Sequence, residues 1–146
     1  MKIIGYVAVA IALLLSGCSY GYVLKAEAHD GKVVFAPEPQ TGRRSQGTGC
    51  LFNFTVKTAS GETVWEWGAK AYIPPPCQSL LPVTYGVVPA GHEELTKAKP
   101  LKLDTVYVVE AWDGDSYTGS FRLMNGVFAE NLPYVSHEAS NAAASR

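Results

Sequence analysis

The chain has 146 residues, with 12 basic against 13 acidic side chains for a formal net charge of −1, and 47 % of it is hydrophobic. That length suits one domain with a real core and is too short for two. A charge this close to zero gives no footing to a nucleic-acid or anionic-membrane binder that works by bulk electrostatics.

The first residues are Met1 and Lys2, followed by 13 apolar residues, 3–15, and the small residues Ser16 and Gly17 before Cys18. A bilayer span needs about 20 apolar residues, so the run is too short to cross and has the length and flanks of a secretory signal peptide. The stretch Leu15-Ser16-Gly17-Cys18 resembles the lipobox of bacterial lipoproteins. The resemblance covers about residues 1–19 only. It implies that Cys18 receives a diacylglycerol on its sulfur, that the leader is cut before it, and that the new amino group is acylated, in keeping with a palmitate-type anchor. Two or more acyl chains hold firmly where one is marginal. Ser19, in place of an aspartate, implies the periplasmic face of the outer membrane, or the outer face of the plasma membrane in a single-membrane bacterium.

The expected organisation is a cleaved signal-peptide helix at 1–17, a short lipidated tether at 18–21, one β domain at 22–134 and a flexible tail at 135–146. Removing 17 residues from 146 leaves 129, with 11 basic and 13 acidic side chains and a charge of −2. Export favours disulfides, and with Cys18 assigned to the anchor the two remaining cysteines, Cys50 and Cys77, are even in number. A bridge between them is expected. Two free thiols or half of a metal site are the alternatives, the latter short of the four ligands zinc takes.

Along the domain, residues 22–28 and 32–36 are β-prone and flank His29-Asp30-Gly31, a strong hairpin cue. Residues 37–49 are polar, with two prolines and three glycines, and read as a long surface loop. In 50–58 the alternation predicts a strand with Cys50, Phe52, Phe54 and Val56 inward. A turn at 59–62 leads to a return strand at 63–73 that places Trp65 and Trp67 on one face. Pro74-Pro75-Pro76 stiffens the chain before Cys77. Residues 82–89 read as a proline-bounded edge strand, and the charged 90–100 as a segment with a helical turn. Residues 104–112 and 116–124 form the next hairpin across Asp113-Gly114-Asp115, and Asn125-Gly126 turns the chain again. Seven or eight short antiparallel strands predict an all-β fold, an immunoglobulin-like or transthyretin-like β-sandwich. The stretch 100–112 resembles a late strand pair of fibronectin-III-like domains.

Candidate chemistry is sparse. His29, His92 and His137 occur at no metal-ligand spacing and read as solvated. Asp113 and Asp115 flank a glycine as turn residues do, and a calcium loop needs six or more oxygens. No catalytic constellation, metal or cofactor is expected. Arg43 and Arg44, among flexible glycines, could grip a carboxylate or phosphate. Trp65 and Trp67 could present a flat aromatic face to a sugar or a protein, or fill the core. The reading is a lipid-anchored, non-catalytic envelope protein that binds a protein partner or envelope component such as a glycan near the membrane. The rival is an anchored enzyme or inhibitor whose site residues are scattered over loops.

Overall fold

A computed structural model describes residues 21–39, 47–74, 76–125 and 128–134. The leader, Cys18 and the rest of the expected tether up to residue 20, Arg43 and Arg44, and the tail from 135 lie outside the described residues, while Gly21, expected in the tether, already belongs to the first strand. Among the described residues there are nine strands and no helix: β1 (Gly21–His29), β2 (Lys32–Pro37), β3 (Asn53–Thr58), β4 (Thr63–Ala69), β5 (Val83–Thr84), β6 (His92–Thr96), β7 (Val106–Trp112), β8 (Ser116–Asn125) and β9 (Phe128–Leu132). The all-β expectation therefore holds. The strands join in one continuous sheet, in the order β5-β2-β1-β8-β7-β3-β4-β6, with β9 beside β8.

The expectation of antiparallel strands throughout is corrected: the sheet is mixed because β1 and β8 run parallel, while every other pair is antiparallel. It is also strongly curled, into a half-barrel. Strands β2 and β3 stand four places apart in the order, roughly 19 Å in a flat sheet. Yet the Phe35 ring of β2 lies 5.3 Å from Phe54 of β3 and 5.4 Å from Phe121 of β8. Only a sheet that folds over itself can make those contacts. The interior so enclosed is aromatic: Phe35, Phe54, Trp65, Trp67, Tyr107, Tyr117 and Phe121 are all essentially inaccessible.

The fold turns on β1. Its first residues pair with β8, ending at Val23↔Thr118, and the rest pairs with β2 from Leu24↔Pro37 onward. At the crossing the Leu24 carbonyl sits so close over Gly119 that a Cβ there would lie 2.2 Å from its oxygen. Glycine inside a strand marks such an approach of two backbones. Beyond the crossing, the Asn131 side chain of β9 reaches β1 and imitates a peptide group, accepting from Ala26 N at 2.7 Å and donating to Ala26 O at 2.9 Å. The hairpin of β1 and β2 forms as the sequence predicts, with positive φ at both Asp30 (49°) and Gly31 (75°).

The two ends of the curled sheet approach each other at Tyr85, just after β5. Its ring packs 5.0 Å from Trp65 of β4, and its hydroxyl contacts the carbonyls of Lys99 at 2.7 Å and Val64 at 3.3 Å. Burial, with a smaller contribution from Tyr107, pushes this phenol up to about 12.

Three local expectations are corrected. The charged segment 90–100 carries β6 in place of a helical turn, because Ala69 and its neighbours on β4 offer it a free edge. The strand expected at 82–89 shrinks to Val83–Thr84. The inward alternation begins only at Phe54: the chain bends at Phe52, so Leu51 is buried while Cys50 and Phe52 are partly exposed.

Candidate functional site

Cys50 and Cys77 form a disulfide, with Cα atoms 5.9 Å apart. It fastens the segment before β3 to the segment before β5. Around it the β7–β8 turn is tied down as well. Asp113 Oδ2 accepts from Thr48 Oγ1 and from the Tyr117 hydroxyl, both at 2.7 Å, and Asp113 Oδ1 accepts from Asp115 N at 3.0 Å. Tyr117 in turn accepts from Gly49 N at 3.2 Å. Burial and the bond to Asp113 raise the Tyr117 phenol well above its ordinary range. Asp113 is thus a turn residue whose carboxylate is used by its own fold.

Trp65 and Trp67 are 0 % exposed. A surface role for this pair is therefore corrected: the two indoles fill the core, as the other reading of them had it. Phe54 stacks on Trp67 with ring centroids 5.6 Å apart and planes 12° apart. Strand β4 lies next to the edge strand β6, and its large side chains turn inward to fill the curl. His92 is also corrected, from solvated to buried. Its ring lies edge-on to Trp67 at 4.8 Å, with Nδ1 3.0 Å from Ala90 O and Nε2 3.0 Å from Leu51 O. His29 is exposed in its turn beside Glu27.

The accessible features are elsewhere, and they divide by pole. Gly21, the β7–β8 turn, residues 47–52 and 70–72, and the disulfide share one end of the half-barrel, because Gly21 pairs with Ser116, Ser116 with Trp112, Trp112 with Asn53 and Asn53 with Gly68 in one row across the sheet. At this end three aromatic rings lie on the outer surface. Phe52 is 5.6 Å from Trp112 and 6.2 Å from Tyr72, and Trp112 is 50 % and Tyr72 75 % exposed.

Running from these rings along the outer face of β3, β4, β7 and β8 is a shallow polar groove of about 430 Å³. Thr55 stands in register between Glu66 and Glu110, which puts the two carboxylates two strand spacings, roughly 10 Å, apart. Glu110 is engaged by Lys57 Nζ at 3.0 Å and by the Tyr134 hydroxyl at 3.0 Å. Burial and Glu110 push the Tyr134 phenol up to about 12. The groove offers hydrogen-bonding groups, and its ion pair is already satisfied from within.

At the opposite pole, where the β1–β2 hairpin turns, Ala28, Val33, Tyr85, Leu101, Leu103 and Leu123 line a mostly apolar pocket of about 390 Å³. Asp104 N donates to Leu123 O at 2.9 Å and holds the 101–104 loop against β8. Leu103 is 54 % exposed there, and Met124 and Phe128 of the β8–β9 hairpin are also exposed.

The outer aromatic rings and the apolar pocket were both missed from sequence. The first had a usable signal: Trp112 shares strand parity with Glu110, opposite the inward Tyr107, Val109 and Ala111, so it had to face out. The pocket had none, because it forms where the 97–103 loop meets a hairpin about 70 residues earlier in the chain. No family model matches the chain, and neither a curated protein nor a solved structure matches it.

Proposed function

We propose that this chain is a lipid-anchored cell-envelope protein, held by acyl groups on Cys18 at the periplasmic face of the outer membrane, whose non-catalytic half-barrel docks a protein partner close to the membrane. The lipobox pattern at 15–18 supports the anchor. The observation that carries the docking is the apolar pocket beside exposed Leu103, at the pole opposite Gly21. An apolar concavity among exposed large side chains is what a protein partner covers. Strand β1 spans nine residues, so the pocket stands about 30 Å from the tether end, within reach of a partner held at the same membrane.

The half-barrel would serve as an immunoglobulin-like sandwich serves, as a stiff two-layered body with loops at its ends. The Phe35 contacts across the interior support that finer reading.

Photo-crosslinking in intact cells tests the proposal. A crosslinking residue at position 103 is expected to trap one membrane-proximal protein, and one at Glu94 on β6 is not. Binding of that purified protein should weaken about tenfold or more in Leu103→Glu. Equal adducts from both positions, or binding indifferent to Leu103→Glu, would overturn the docking.

A further inference from the structure

We infer that the outer aromatic rings Phe52, Tyr72 and Trp112 seat the domain directly on the bilayer interface. The inference rests on the anchored reading of Cys18 and adds which surface meets the lipid. Cys18 lies three residues before Gly21, the start of β1. Three residues span at most about 11 Å, so the acylated cysteine holds Gly21 within that distance of the headgroups. Gly21, Ser116 and Trp112 stand in one row of the sheet, which places Trp112 two strand spacings, roughly 10 Å, from Gly21. The tether thus brings the exposed rings to the membrane whether or not they bind it.

The chemistry of the rings fits that position. Trp and Tyr concentrate at membrane–water interfaces, where an apolar ring and a polar tip are both satisfied. Trp112 and Tyr72 expose such rings, with Phe52 packed between them. Exposed Lys70, two residues from Tyr72, can keep its charge among headgroups while its stem lies along apolar surface. Asp113, Asp115 and Glu93 share this pole, so seating draws on ring partitioning and not on attraction to anionic lipid. Among the described residues the distal pole exposes Leu103, Met124 and Phe128, and the one tyrosine lining its pocket, Tyr85, spends its hydroxyl on the Lys99 and Val64 carbonyls.

The chain contains three tryptophans, and two of them, Trp65 and Trp67, are inaccessible. Quenching by an aqueous or a lipid-borne agent therefore reports on Trp112. The processed full-length protein would be reconstituted in phosphatidylcholine vesicles with brominated or ordinary acyl chains, and its intact mass measured. Seating predicts bromine quenching together with loss of acrylamide quenching, both effects absent in Trp112→Phe. An acylated protein whose Trp112 stays open to acrylamide and untouched by bromine would overturn the inference.

A mass showing unmodified Cys18 would instead overturn the anchor. The Cys18 thiol would then be coupled to a maleimide lipid in the same vesicles, where the same two quenchers decide the seating. In cells, a photo-crosslinker at position 112 should label lipid. A protein adduct there in place of lipid would assign the rings to a protein contact and overturn the seating.

Discussion

The two poles of the half-barrel are built on different principles. The tether pole is cross-braced: a disulfide, the Thr48–Asp113–Tyr117 bonds and the Leu80 N to Gly49 O bond at 2.8 Å join segments distant in sequence. The far pole is made of hairpin turns and one loop, held by Asp104 N to Leu123 O and by Tyr85 across the seam. The first exposes Trp112 and Tyr72, rings with a polar tip, and the second exposes the wholly apolar side chains of Leu103, Met124 and Phe128. Under the proposed function, a rigid end would suit a body pulled by a membrane anchor, and a pocket between loops a surface that adapts to a partner.

The contrast breaks most completely at the disulfide. Its cysteines are 27 residues apart, and in the chain-entropy account closing such a loop stabilises by about 3.5 kcal/mol. Cys50→Ala with Cys77→Ala should lose about that much in urea unfolding, and amide exchange should rise first at the tether pole. Next in size is Gly119→Ala, at the junction that both poles share. The added Cβ meets the Leu24 backbone at 2.2 Å, a neighbour that cannot rotate away, so a loss of about 3 kcal/mol is expected. An unchanged urea midpoint would mean that β1 does not cross β8 there. Asp113→Ala removes the acceptor of two hydroxyls and should destabilise by about 2 kcal/mol, with exchange rising at the tether pole alone.

The seam at Tyr85 is sharpened by pH. Its phenol is raised from 10 to about 12 in the folded chain, so the folded state favours the protonated form. The associated stability is complete below pH 10 and is lost as pH rises from 10 to about 12. Tyr85→Phe should flatten that alkaline limb and, by removing the hydroxyl bonds to Lys99 O and Val64 O, lower stability at neutral pH by about 1 kcal/mol. An alkaline limb as steep in Tyr85→Phe as in the parent chain would assign it to other tyrosines, such as Tyr134.

Much of the β content was legible in the sequence because it is local. Asp30-Gly31 and Asp113-Gly114-Asp115 announce their hairpins, and the parity of Tyr107, Val109 and Ala111 announces which face of β7 is buried. The alternation in 50–58 misled at Cys50 and Phe52, since period two has meaning only where the backbone is extended and the chain bends at Phe52. Segment 90–100 was opaque for another reason. Its Glu93, Glu94 and Lys97 give no apolar period, and it becomes a strand only because β4 offers an unpaired edge. The parallel join of β1 to β8 is non-local, about 95 residues apart in the chain, and only Gly119 hints at it.

The smallest stability effect and the most selective functional one should coincide at Leu103. Its side chain is 54 % exposed, so Leu103→Glu removes little buried area and should shift unfolding by less than about 0.5 kcal/mol. The same change sets a charge at the mouth of an apolar pocket, where a docked partner would have to desolvate it. Burying an unpaired carboxylate costs far more than a lost methyl contact, so partner binding should fail in a domain that remains folded. Trp112→Phe should leave partner binding intact. If Leu103→Glu unfolds the domain instead, the 101–104 loop is part of the core, and the far pole is as braced as the near one.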